Sequence, residues 1–166
     1  MGTNFTYQNN FKDFWQYDPT TDTWLEKADF PGSGSYLASA FSLNEKGYAG
    51  LGASYGTPNP NNQFWQYDPT ADKWTRQADF PGGARVSATA FAIGSKGYMG
   101  FGYNDTISLK DFWAYDPGSN TWTRKADFTG THRYDLVGFS IGNAGYIGTG
   151  NADSTVGLHD FWQFNP

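Results

Sequence analysis

One phrase is written three times along this chain and begun a fourth time. It runs DFWQYDPTTDTW from Asp13 to Trp24, QFWQYDPTADKW from Gln63 to Trp74, and DFWAYDPGSNTW from Asp111 to Trp122. DFWQFNP, from Asp160 to Pro166, opens the next copy. The Phe-Trp pair begins at Phe14, Phe64, Phe112 and Phe161, at spacings of 50, 48 and 49 residues. Between these marks, Ala-Asp-Phe recurs at Ala28, Ala78 and Ala126, and Gly-Tyr at Gly47, Gly97 and Gly145. A period near 50 through all 166 residues means stacked supersecondary units, each burying its apolar face against the next.

Each unit holds four strand-like stretches. Strand A is YLASAFSL (Tyr36 to Leu43), matched by VSATAFAI and YDLVGFSI. Its period-two alternation puts Ala38 and Ala40 on one face and Leu37, Phe41 and Leu43 on the other. The turns NEKG, GSKG and GNAG end in a glycine that suits a tight hairpin. Strand B follows as YAGLG, YMGFG or YIGTG, and a long variable loop leads to strand C, FWQYD. In DPTTDT, proline favours the early turn position and Asp bonds its own backbone. Strand D is TWLEKA, KWTRQA or TWTRKA. No segment has a helical period, so the chain is all-β. The D–A and B–C loops share one end of each sheet and carry the variable residues, which makes that end the expected binding face.

Composition removes several function classes. There is no cysteine, which excludes disulfides, thiolate metal sites and cysteine nucleophiles. The net charge is −5 and no Lys/Arg cluster exists, so nucleic acid is not an expected partner. No run of about 18 apolar residues is present, so no membrane-spanning helix is expected. The opening MGTNFTYQNN has neither a basic n-region nor an apolar h-region, and no signal peptide is expected there. The 19% aromatic content beside 21 glycines is the vocabulary of a β-rich repeat protein.

Four short antiparallel strands in about 50 residues resemble one blade of a β-propeller. The motif residues are similar to those of the kelch family. Its blades place a glycine pair at the close of strand B, then a Tyr, then a Trp seven positions on. Here those pairs are Tyr17/Trp24, Tyr67/Trp74 and Tyr115/Trp122. The glycine doublet departs from the pattern by one inserted residue: Gly50-Leu51-Gly52, Gly100-Phe101-Gly102 and Gly148-Thr149-Gly150. The resemblance covers nearly the whole chain. It implies a single kelch-type propeller half, with repeats at 14–63, 64–111 and 112–160 and a partial repeat at 161–166. Kelch propellers include binding scaffolds and a copper oxidase. The oxidase needs a cysteine-crosslinked tyrosine, which this chain lacks. The expected function is a non-enzymatic scaffold or binding module. The alternative is a secreted carbohydrate-binding or carbohydrate-active domain.

The strand count raises a question of closure. From the N-terminus the chain reads C and D, two complete blades, then A, B and C: thirteen strands, or about three blades. Propellers close with about four to eight blades, and an open arc exposes aromatic faces meant for neighbours. The chain therefore reads as half of a six-bladed ring closed by a homodimer, or as half of a longer propeller. Two copies bring 26 strands to 24 places, and the first C strand, DFWQYDP, is the one expected to yield.

Repetition separates structural from functional residues. Asp18, Asp68 and Asp116 before proline, and Asp29, Asp79 and Asp127, recur in every blade and read as structural. The tryptophans read as core between blades. The kelch resemblance gives Arg85 and Arg133 a role in bonding loop carbonyls near the channel. His132 and His159 form no metal-binding motif, and neither metal nor other cofactor is expected. The residues that differ between repeats, with these arginines, make the candidate ligand set: Tyr36, Tyr55, Arg85, Tyr103, Asn104, Asp105, His132, Arg133, Asp135, Asn151 and Asp153. Tyr, Asn and Asp in loops on a rigid frame suit a polar partner such as a glycan or a peptide.

Overall fold

The structure, a computed structural model, describes residues 3–4, 9–32, 36–54, 60–153 and 157–166. Among these residues there are only strands, turns and loops. β1 (Thr3–Asn4) and β2 (Asn9–Asn10) form a short antiparallel ladder that no repeat pattern announces. β3 (Phe14–Asp18) and β4 (Thr23–Lys27) are a C–D pair. Two complete blades follow: β5 (Ser39–Leu43), β6 (Lys46–Gly50), β7 (Phe64–Asp68) and β8 (Lys73–Arg76), then β9 (Thr89–Ile93), β10 (Lys96–Gly100), β11 (Phe112–Asp116) and β12 (Thr121–Arg124). β13 (Val137–Ile141), β14 (Ala144–Gly148) and β15 (Phe161–Phe164) make a three-stranded A–B–C sheet. All thirteen expected strands are present, in antiparallel meanders.

Two details differ from the sequence expectation. Strand A begins at Ser39, not Tyr36, because Leu37 has a left-handed backbone (φ 56°). Its side chain is exposed instead of sharing the buried face of Phe41 and Leu43. Ser87 and Asp135 repeat that left-handed conformation. The Ser87 N–H donates to the Leu37 carbonyl at 3.0 Å, and the Asp135 N–H to the Ser87 carbonyl at 3.3 Å. A backbone ladder thus steps from blade to blade along the innermost strands.

The second difference concerns the Gly-Tyr pair. The first A–B turn is the dipeptide Asn44-Glu45, left-handed at both residues, so Gly47 lies inside strand B with its equivalents Gly97 and Gly145. These glycines are notches. A Cβ at Gly97 would overlap the Phe41 ring of the preceding blade, and one at Gly145 the Phe91 ring. At Gly47 the nearest atom to such a Cβ is Tyr67 Cβ, at 3.6 Å.

A tryptophan cage locks each blade to the previous one. Trp74 sits among Phe14, Phe30 and Tyr67 at ring-centroid distances of 5.1, 5.2 and 5.0 Å. Its Nε1–H donates to the Ala28 carbonyl at 3.0 Å, and Asp72 Oδ1 accepts from the Ala28 N–H at 3.0 Å. Trp122 repeats this with Phe64, Phe80 and Tyr115 at 4.9, 5.1 and 4.9 Å. Ala78 takes the place of Ala28, and Asn120 that of Asp72. Edge-on aromatic pairs of this kind add roughly 0.5–1.5 kcal/mol each beyond their buried area. Burial, ahead of its bond to Asp72, pushes the Tyr67 hydroxyl up to about 12. Burial likewise pushes Tyr115 up to about 12.

Candidate functional site

At the loop end, each D–A loop bridges to the B–C loop of its own blade. Tyr36 pairs with Ala53, Val86 with Tyr103, and Tyr134 with Asn151. The arginines of the D–A loops turn inward below these bridges. Arg85 makes a two-pronged ion pair with Asp111 (2.6 and 3.0 Å) and donates to the Phe101 carbonyl at 2.9 Å and to the Gly82 carbonyl. Arg133 holds Asp160 at 2.7 and 2.9 Å and donates to the carbonyls of Thr131 and Thr149. Their guanidinium carbons lie over Phe80 and Phe128. With 1% and 0% of their surface exposed, both are committed to fastening loops. Arg133 beside it holds the Asp160 carboxyl far below the usual carboxylate range.

The repeated aspartates are structural as well. Asp18, Asp68 and Asp116 each accept from the backbone N–H two residues on, at 2.8, 2.9 and 2.9 Å. Asp79 and Asp127 pair with Arg76 and Arg124 on the surface.

Chemistry that is not repeated gathers where the second complete blade meets the three-stranded sheet. Tyr103 and Tyr134 face each other across this junction, with ring centroids 5.6 Å apart. They line a hollow of about 390 Å³ with Thr106 and Asp153. Asp153 Oδ1 accepts from the Ser108 N–H at 2.9 Å, and its Oδ2 lies 3.5 Å from His132 Nδ1. Ser108 Oγ and His132 Nδ1 also share a hydrogen bond. The Ser108 hydroxyl, then its backbone N–H, and least the His132 charge keep the Asp153 carboxyl below its ordinary value. Serine and carboxylate thus converge on one ring nitrogen. A proton relay through the imidazole would need them on opposite nitrogens. The geometry suits a fixed polar recognition surface instead: two aromatic faces, a carboxylate and an imidazole. Between the two complete blades Ala53 and Val86 occupy the positions of the inner pair, so this hollow is not a product of the repeat.

Of the eleven expected ligand residues, Tyr103, His132 and Asp153 come together here, with the backbone of Asn151 bridged to Tyr134. Asn104 spends its side-chain carbonyl capping Thr106 and Ile107. Asp105 is exposed beside it. Asp135 stands on the inner ladder, and Tyr36 lies at the far end of the array. Tyr55 lies outside the described residues. His159 is exposed. Sequence reasoning passed over Tyr134, Thr106 and Ser108. Tyr134 opens a stretch read as strand, and Ser108 is silent until its bridge to Tyr103 is known. Among the described residues no group of three or more His, Cys, Asp or Glu is placed to hold a metal ion. Among them, too, no helix is long and apolar enough to cross a membrane.

Comparison with known proteins bears on the fold. A family model for the kelch motif matches residues 102–129, from the end of strand B through strand D of the second complete blade. Curated protein sequences give no match. Among solved structures the chain is similar to YjhT, with a TM-score of 0.80 at 15% identity over 93% of its own length. The aligned part is 59% of YjhT, so the chain spans well under two thirds of that protein. The matched motif shows a kelch repeat at residues 102–129, and the likeness to YjhT is one of fold, an array of propeller-type antiparallel blades.

Proposed function

We propose that this chain is a non-enzymatic binding scaffold that associates with itself into a closed propeller and offers its loop face to a polar ligand. The observation carrying the assembly is the state of its two outer faces. Trp24 is 65% exposed where its equivalent Trp74 is 9% exposed. At the other end Val137, Phe139, Ile141, Phe161 and Trp162 are all exposed, although their counterparts in the complete blades are core or packed against it. Contiguous apolar faces of this kind mark interfaces. Light scattering on a size-exclusion column across a range of concentrations tests it. A particle of twice the 18.4 kDa chain mass is expected, and a monomer at every concentration would overturn the assembly.

For the ligand, the Tyr103–Tyr134 pair beside Asp153 favours a flat polar molecule such as a sugar ring or peptide backbone. The absence of a relay geometry at His132 supports binding without turnover. A glycan and peptide panel should give ligands whose retention falls at least about tenfold with Tyr103→Ala or Asp153→Asn. Hydrolysis lost with His132→Ala would instead favour the carbohydrate-active alternative.

A further inference from the structure

Each outer face lacks what the other displays. Where the second complete blade meets the three-stranded sheet, Phe112 of β11, Phe128 of the D–A loop and Phe164 of β15 occupy the positions of Phe64, Phe80 and Tyr115 around Trp122. No D-strand tryptophan stands among them, although Trp162 of β15 packs against Phe128 at 5.1 Å, and a cavity of about 190 Å³ opens between these rings, Trp162 and Ala126. Phe112 and Phe164 already meet at 5.0 Å, edge to face, as Phe64 and Tyr115 do at 4.9 Å. At the opposite end β4 displays Trp24, which has a Tyr17 wall at 5.1 Å but, among the described residues, no pair of phenylalanines.

The notches tell the same story independently. Phe41 fills the notch of Gly97, and Phe91 that of Gly145. The third phenylalanine of the series, Phe139, stacks on Tyr146 as Phe91 stacks on Tyr98, yet it is 42% exposed against 4% for Phe91. The third glycine, Gly47, is the open notch. Both outer faces therefore continue the blade-to-blade interface that the chain forms internally, and each is the missing half of the other.

We infer that a second copy of this chain supplies the missing half, with Trp24 of one copy entering the Phe112–Phe128–Phe164 cage of the other. Phe139 of the cage-bearing copy then seats against Gly47 of its partner. Trp24 Nε1–H donates to the Ala126 carbonyl and Asp22 accepts from the Ala126 N–H, repeating the bonds of Trp74 and Asp72 to Ala28. This rests on the self-association proposed above and names its joint. For Trp24 to face the cage, β4 must pair with β15, in the place β3 now holds. Freeing β3 breaks the exposed Tyr17–Asp22 hydrogen bond (2.7 Å) and withdraws Phe14 from the Trp74 cage, a place that Phe161 of the other copy, at the equivalent position of β15, then takes. Expelling β15 would instead strip Asp160 from the buried Arg133, so β3 is the strand that yields. By the register of Gln16 opposite Leu25, Gln163 then comes to face Leu25 of the other copy.

Two measurements on the whole chain test this. The first is dimer affinity by light scattering and dilution for wild type, Trp24→Ala and Gly47→Ala, with thermal melts to check folding. Gly47→Ala has room in the single chain, but its methyl group would meet Phe139 across the joint. Each variant is expected to weaken the dimer at least about 30-fold, and Gly47→Ala combined with Phe139→Ala to weaken it less than the two effects added. The second uses the absence of native cysteine: Leu25→Cys with Gln163→Cys should yield a disulfide-linked dimer on a non-reducing gel. A wild-type monomer at all concentrations would sink the self-association and this joint together. A wild-type dimer indifferent to Trp24→Ala and Gly47→Ala, or one with no cross-link, would overturn the joint alone.

Discussion

Gly97 and Gly47 hold the same place in two neighbouring blades and live in different worlds. Behind Gly97 stands the Phe41 ring; behind Gly47 no described residue stands closer than ordinary contact. The same contrast separates Trp74 from Trp24 and Phe91 from Phe139. Inner and outer blades share their sequence pattern, their register and their aromatic stacking. They differ in strand number and in having a neighbour. Local pattern therefore builds the blade, while burial, and with it most of the stability, comes from the blade beside it.

Substitutions placed in matched pairs can break or sharpen this contrast. The largest effect is expected at the arginine clamps. Arg85→Met should cost about 3–5 kcal/mol in urea unfolding because it strands Asp111 in a largely buried place. Arg133→Met should cost less, since Asp160 is half open to water. Equal losses would mean that the outer sheet is held as tightly as the inner blades.

Next comes the glycine pair. Gly97→Ala should lose about 1–3 kcal/mol through overpacking against Phe41. Gly47→Ala, measured below the association range, should stay within about 0.5 kcal/mol of wild type. A similar loss at both would show that the notch matters for strand conformation and not for its neighbour.

The outer sheet should also be the more sensitive to acid. The folded Asp160 carboxyl is depressed by Arg133, so its contribution is complete above the unfolded carboxylate value near 3.9. It is lost as pH falls below that value toward the folded one. Hydrogen exchange of β15 against β11 between pH 5 and 2 reads it. The smallest effect is a gain. Thr149 is β-branched on a left-handed backbone (φ 59°), and Thr149→Gly should stabilise by less than about 1 kcal/mol. The same change at the equivalent Phe101, which is fully buried, should destabilise.

Much of this was legible in the residues, because a repeat averages out the noise of any single segment. The strand order and the turn role of Asp18, Asp68 and Asp116 each had several copies to speak for them, while the loop-bonding role of Arg85 and Arg133 came from the kelch resemblance and stood beside their place in the candidate ligand set. What escaped was whatever depends on the space between blades. Gly47, Gly97 and Gly145 look like turn residues in one dimension and become notches only when a ring arrives from the next sheet. Leu37 fits the alternation of strand A by number, yet its left-handed backbone takes it out of the strand. Of the hollow, Tyr103, His132 and Asp153 were legible as residues that differ between repeats, while Tyr134, Thr106 and Ser108 carry no signature until the loops are brought together.

The ladder through Leu37, Ser87 and Asp135 has a consequence for architecture. Because each step repeats the last, the bend of the array is a local quantity, set between adjacent sheets and indifferent to how many follow. Chain length decides only where the arc stops. Adding one more repeat would therefore leave the curvature unchanged.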